Sequence, residues 1–273
     1  MKLSCLPVSF FADLTSGKMT VAEWARMGAN LKLDAVDLSI LFLHDRTLEA
    51  AAAVRRQVES AGTHVAMLTT YPDFTHPQTA QRARELDMEV QAVRLAAALG
   101  ARFIRVTAGQ AHPETGVKEG ITWAAHGLSC LVEAAGNLGV QLAYENHAKP
   151  GAWEYTDFSQ PPEIFLEILS RVPSRLLGVN FDTGNATAFA PNPVAFLEQV
   201  IDRVVSVHAA DTSTTGQLNH VLLGSGVTPF EALFGCLKSH GWDGWICMEE
   251  ASNQGRWGVE TAAKTIRRLW AEA

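Results

Sequence analysis

The sequence predicts an α/β fold, a single (β/α)8 TIM barrel spanning residues 1–273 as one domain. Three observations predict it. Eight short apolar runs alternate with eight segments of helical periodicity. The runs are hydrophobic almost throughout, as strands buried on both faces are. A length of 273 residues suits a barrel, which commonly reaches about 250 residues around one core.

The first run begins near Leu3 and stays apolar to Ala12, but a single Lys precedes it, Pro7 interrupts it and Asp13 follows, so it reads as a first strand rather than a secretory segment. A helical segment at 20–29 follows. The second strand begins near Ala35 and its helix covers 46–61, stopped at Ala61-Gly62. The third begins near His64, with a helix at 78–99 stopped at Leu99-Gly100, and the fourth near Arg102, with a helix at 117–138 stopped at Leu138-Gly139. Glycine just past a helix is the usual stop because it accepts the left-handed conformation there. The fifth, sixth and seventh strands begin near Gln141, Leu176 and Val204, with helices at 161–172, 193–202 and 228–240, the last stopped at His240-Gly241. The eighth begins near Trp245 and its helix covers 257–271. A doubly wound open sheet would show the same alternation, but no G-x-G-x-x-G follows the first strand and no linker, low-complexity tract or like-charge block divides the chain.

Composition narrows the classes of function. With 47% hydrophobic and 19% charged residues and no run of about 18 apolar residues, the chain reads as soluble, with no membrane partner. A net charge of −7, with Lys and Arg scattered, disfavours nucleic acid. Cys5, Cys130, Cys236 and Cys247 lack C-x-x-C spacing, which suits reduced thiols in a cytoplasmic protein.

The longer polar loops, Tyr71 to Pro77, Gln110 to Val117, His147 to Pro162, Asn185 to Pro193 and Thr212 to Thr228, all follow strands, so function is expected on that rim. Glu145, Asp182, His208 and Glu249 sit where the runs QLAYEN, LLGVNFD, VVSVHAAD and WICMEE end, at intervals of 37, 26 and 41 residues. This is the spacing of β/α units, and it gathers three carboxylates and an imidazole at the carboxyl ends of neighbouring strands. Taken singly, a strand-end Asp caps the next helix and a buried His satisfies a backbone carbonyl. Four on consecutive strands point to a metal site. Three oxygen donors and one nitrogen suit one divalent ion, Mn, Mg or Co with Zn as a further candidate, and leave positions for two substrate oxygens. A hydroxyl and adjacent carbonyl held there would pass through a metal-stabilised enediolate, the chemistry of an isomerase or epimerase.

The segments Tyr144-Glu145-Asn146-His147, Asn180-Phe181-Asp182-Thr183-Gly184-Asn185, Val207-His208 through Asp211, His220 to Gly226, and Gly241-Trp242-Asp243-Gly244-Trp245 leading into Glu249 resemble the xylose isomerase-like barrels. That superfamily takes in sugar isomerases, ketose 3-epimerases, inosose dehydratases and endonuclease IV. The resemblance implies that Glu145, Asp182, His208 and Glu249 bind the metal, that Glu145 and Glu249 are the catalytic acid/base pair, that the substrate is a small keto-sugar or keto-polyol, and that the chain forms a homo-oligomer, a dimer or tetramer. It also selects Glu249 over Glu250 as ligand; strand alternation says only that the two point to opposite sides. Asn185 and Leu218 replace a histidine and an aspartate of the trinuclear endonuclease, so DNA cleavage ranks low, as does a sugar-binding barrel without chemistry. The loop Thr212 to Gln217 lacks the arginine with which epimerases hold substrate, which keeps an inosose dehydratase-like lyase as the alternative, with His147 as leaving-group acid.

His147, Lys149, Trp153, Asn185 and His220 are candidate contacts to a small carbohydrate or polyol, with Arg256 beside Trp257 as a substitute for the missing arginine. His76 and His112 are weaker candidates. Gly224-Ser225-Gly226 reads as a plain turn first and a phosphate cradle second. A lone Asp182-Thr183-Gly184 is an isolated match to the aspartic protease triplet, whose chemistry needs two copies.

Overall fold

The computed structural model describes residues 1–149 and 151–273; Pro150, within the predicted rim loop His147 to Pro162, lies outside the described residues. The strands are β1 Lys2–Leu6, β2 Val36–Ser39, β3 Val65–Thr69, β4 Phe103–Val106, β5 Gln141–Glu145, β6 Leu177–Asp182, β7 Val204–Ala209 and β8 Trp245–Glu249. The α-helices are α1 Phe11–Thr15, α2 Val21–Asn30, α3 Leu48–Ser60, α4 Thr79–Leu99, α5 Val117–Gly136, α6 Pro162–Arg171, α7 Thr183–Phe189, α8 Pro193–Val200, α9 Phe230–Ser239 and α10 Gly255–Glu272. All strand pairs are parallel, in the order β1-β8-β7-β6-β5-β4-β3-β2. At the seam between β1 and β2, Asp34 does the stitching: its N–H donates to Leu3 O at 2.8 Å and its carboxylate accepts from Leu3 N at 2.8 Å. The result is a nearly closed barrel, as predicted.

Each predicted strand starts within one residue of the observed one. The predicted glycine stops all adopt positive φ, 84° at Gly62, 73° at Gly100, 70° at Gly139 and 70° at Gly241, a region open to glycine because it has no Cβ. Among the described residues ten α-helices stand against eight predicted. The additional two, α1 and α7, are short helices of five and seven residues on the rim, below the length at which periodicity registers. No helix among the described residues is long and apolar enough to cross a membrane.

Alternation along the strands builds the site in layers. Met67, Phe103, Ala143 and Trp245 form an apolar cluster inside the barrel, separate from the larger core between sheet and helices. Two residues further along each strand the same face carries Thr69, Arg105, Glu145 and Cys247, because strand side chains repeat every second residue. The lower barrel is therefore greasy and the upper barrel polar.

One buried carboxyl lies outside the barrel wall. Glu89 of α4 packs against Thr70, whose Oγ1 also donates to Arg105 O at 2.9 Å. One hydroxyl hydrogen cannot serve both acceptors, so the arrangement suits a protonated Glu89, and burial pushes this carboxyl up to about 7 despite the Thr70 hydrogen bond. A carboxyl whose pKa is raised on folding binds more protons folded than unfolded, so its contribution to stability falls as pH rises from about 4.5 through about 7. Glu89→Gln is expected to remove this penalty. In urea unfolding the variant should gain about 2–3 kcal/mol relative to wild type between pH 5 and pH 8, because each pH unit spanned between the unfolded and folded pKa is worth about 1.4 kcal/mol. An equal difference at both pH values would show Glu89 to be ionised throughout.

Candidate metal centre and active site

Glu145, Asp182, His208 and Glu249 end β5, β6, β7 and β8 and converge, each offering a ligand atom within 4.8 Å of the others. Asp182 and His208 are direct neighbours across the β6–β7 ladder. The His208 Nδ1 lies 2.5 Å from Glu145 Oε1 and 3.1 Å from Glu249 Oε1. Glu145, Asp182 and His208 are fully buried, and Glu249 is nearly so. Glu249 shares the inward face with Cys247, whereas Glu250 turns away and accepts hydrogen bonds from Ser252 N and Oγ.

Neighbouring residues orient these four side chains. Asn146 acts as a peptide mimic between β5 and β6, donating from Nδ2 to Asp182 O at 2.9 Å and accepting from Asp182 N at 2.8 Å. Asn180 Nδ2 donates to Glu145 Oε1 at 2.9 Å and is itself held by Ser206 Oγ, which donates to its Oδ1 at 2.7 Å. Asp182 fills the capping role that its position suggested and keeps its second oxygen free. Its Oδ1 caps α7 by accepting from Asn185 N at 2.6 Å, while Oδ2 is buried without a hydrogen-bond partner. A carboxylate has two oxygens, so capping and metal ligation do not compete.

Several buried atoms here lack hydrogen bonds: Asp182 Oδ2, Glu145 Oε2 and both ring nitrogens of His208. Buried polar atoms are nearly always paired, so this group fits a divalent cation bound among them. The electrostatics agree. Burial, reinforced by the negative charges of Glu249 and Glu145, pushes the Asp182 carboxyl well above its ordinary range. Burial opposes charge on His208, Glu145 and Glu249 too, but mutual attraction overrides it: Glu145, Cys247 and Glu249 hold the imidazole pKa high, His208 and then Arg105 hold Glu249 low, and Arg105 and then His208 hold Glu145 low.

A cavity of about 400 Å³ opens above this centre, and Arg105, His147, Lys149, His220 and Glu249 are among its lining. Three predicted contacts, His147, Lys149 and His220, therefore face it. His147 Nε2 lies 4.0 Å from Glu145 Oε2, and burial above all pushes its imidazole down to about 4. Lys149 Nζ donates to Glu154 O at 2.9 Å, which tethers its loop. Trp153 is not in the lining; it packs edge-on to His147, with ring centroids 6.4 Å apart. Asn185 is likewise outside the lining. Its Oδ1 and His147 Nδ1, both buried and unpaired, border a crevice of about 10 Å³ shared with Asn146 and Gln160, about the room of one water. Arg256 is exposed in the first turn of α10, outside the cavity lining, and Trp257 beside it is 57% exposed.

The guanidinium in the site comes from Arg105 on β4, a residue that no sequence motif singles out. It is buried, with Nε 3.0 Å from Glu145 Oε2 although its N–H is not aligned for a hydrogen bond, Nη1 donating to Thr70 O at 2.8 Å, and its guanidinium 4.6 Å from the Tyr71 ring centroid. An arginine inside the apolar run FIRV, where an inward position must pair its charge, was the available signal.

Two other motifs resolve as structure. Asp211 accepts from Gly224 N, Gly226 N, Thr212 N and Thr228 N at 2.8–3.1 Å, so the amides that a phosphate would use are taken by an internal carboxylate and the plain turn holds. His112 Nε2 lies 2.8 Å from Asp73 Oδ2, and His76 packs edge-on to His112; with Gln110 N and Nε2 donating to the same carboxylate, the group ties the loops after β3 and β4 together.

Comparison with known proteins agrees with this architecture. The family described as "Xylose isomerase-like TIM barrel" matches residues 25–271. An inosose dehydratase from Clostridium botulinum is 26% identical over 141 residues, 46% of this chain and 45% of that protein. The chain spans less than half the length of the curated relatives it matches. A D-tagatose 3-epimerase-like protein superposes with a TM-score of 0.79 at 21% identity, covering 100% of this chain and 99% of that one. An IolI protein with a bound zinc atom superposes at 0.82 and 17% identity, again over 100% and 99%.

Proposed function

The chain belongs to the xylose isomerase-like TIM barrel family, and from that premise we propose that it is a metal-dependent isomerase or epimerase of a small keto-sugar or keto-polyol, with Glu145 and Glu249 as the acid/base pair. One observation carries the proposal: three carboxylates and an imidazole converge within 4.8 Å beneath a cavity of sugar size. A divalent ion held by Glu145, Asp182, His208 and Glu249 would supply a Lewis acid that polarises the substrate carbonyl and offsets the charge developing on its oxygen. Glu145 and Glu249, both held ionised by their neighbours, are the bases at hand. One takes a proton from the carbon beside the carbonyl, and the other, once protonated, delivers one to the opposite face. Arg105 keeps Glu145 charged through burial, and Asn180 fixes the orientation of that carboxylate. His147, neutral in its buried position, accepts or donates one hydrogen bond to a substrate hydroxyl.

The inosose dehydratase similarity supports a second reading, in which proton removal expels a β-hydroxyl. It needs an acid for the departing oxygen. Burial holds His147 unprotonated near neutral pH, which weighs for the first reading. The test is NMR in deuterated water of the protein loaded with Mn, Mg or Zn, against the chelated protein, with a panel of ketohexoses and inososes. Deuterium entering the carbon next to the carbonyl, with an epimer or isomer as product, is expected. An ultraviolet-absorbing enone product would favour the lyase, and no exchange with any sugar despite bound metal would sink both.

A further inference from the structure

The cavity wall is divided by strand. The polar lining comes from β4 and β8 and from the loops after β5 and β7, whereas the lining from the first three β/α units is Leu6, Val8, Phe11, Leu41 and Tyr71. Strands β1, β2 and β3 form one continuous arc of a barrel with this order, so these side chains make one wall. It has no charged group, and its only hydroxyl, Tyr71 Oη, lies 3.5 Å from Ser39 Oγ and Thr69 Oγ1, turned toward the barrel residues. Phe11 is braced from behind by Phe42, with ring centroids 4.9 Å apart.

We infer that the substrate carries an apolar substituent on the part remote from its carbonyl, and that this wall selects a deoxy, alkylated or arylated keto-sugar over the fully hydroxylated one; the inference rests on the proposed reading of the site as a keto-sugar centre. A hydroxyl buried against this arc loses water and gains no partner, whereas a methyl or aryl group there sheds water favourably. The carbonyl end meets the polar arc, where the ligand carboxylates, Arg105 and His147 stand.

The test titrates the metal-loaded protein by calorimetry with D-fructose, 6-deoxy-D-fructose and 6-O-benzyl-D-fructose, which share the carbonyl end and differ at the far one. The benzyl compound is expected to bind at least about tenfold more tightly than D-fructose, with the deoxy sugar between them, on the scale of burying a small apolar group. Val8→Asn and Leu41→Asn, checked for folding by circular dichroism, should each reduce that preference by about threefold or more by giving a hydroxyl a partner. D-Fructose binding as tightly as the benzyl compound, binding of neither, or a preference indifferent to both substitutions would overturn the inference. The reaction is read separately by deuterium exchange. Apolar preference without exchange removes the proposed chemistry and leaves the wall's role standing, and exchange without preference does the reverse.

Discussion

Replacing Glu249 by Gln is expected to leave the barrel folded while lowering solvent-deuterium exchange into substrate by about 10²–10⁴-fold, the usual worth of a positioned general acid or base. The substitution keeps size and shape but removes the charge and the proton-carrying capacity. Glu249 ends β8 next to the cavity and is the least buried of the four clustered residues, so its loss should disturb packing little. Unfolding curves within about 1 kcal/mol of wild type, together with retained metal binding measured by calorimetry, would assign the loss to chemistry. Full activity in the variant would remove Glu249 from the acid/base pair. The corresponding change at Glu250 makes a control, because that side chain faces Ser252 and the start of α10 rather than the metal centre.

The second large effect is on stability. Arg105 is the buried counter-charge to Glu145, and Arg105→Met leaves that carboxylate without its guanidinium in the barrel interior. Removing one member of a buried ion pair costs about 3–5 kcal/mol, because the other charge remains unsolvated. The metal-free variant should therefore unfold at markedly lower urea. Adding a divalent ion should stabilise the variant more than it stabilises wild type, since the cation supplies positive charge to the same carboxylate. Equal metal-induced shifts in the melting temperature of both proteins would show that Arg105 and the ligand cluster are not coupled. Arg105→Lys separates charge from shape: a lysine cannot reproduce both the Nε contact to Glu145 and the Nη1 bond to Thr70 O.

How far the site could be read in advance depended on chain distance. Glu145, Asp182, His208 and Glu249 each end an apolar run, so their convergence followed from the barrel alone. Arg105 lies inside a run, and the sequence offered Arg256 for the missing cation because it followed a strand; the fold leaves Arg256 exposed on α10. By its sequence position Trp153 is a candidate substrate contact. It packs against His147 instead, and the apolar wall comes from the opposite arc, from residues that in the sequence look like ordinary strand ends and a first helical turn. Gly224-Ser225-Gly226 could be weighed in advance but not settled, because the carboxylate that occupies its amides, Asp211, is 13 residues from Gly224.

By itself the sequence determined the barrel, its strand starts and the shared rim on which Glu145, Asp182, His208 and the Glu249-Glu250 pair stand, because hydrophobic period and glycine stops act over a few residues and barrel topology then places every strand end on one rim. Only the tertiary structure decided which face of β8 joins the Glu145-Asp182-His208 cluster, which cation pairs with Glu145, and which arc of the wall is apolar. Those depend on strand register and on contacts between neighbouring β/α units, such as Asn180 with Glu145 and Arg105 with both Thr70 and Glu145, which no local pattern encodes.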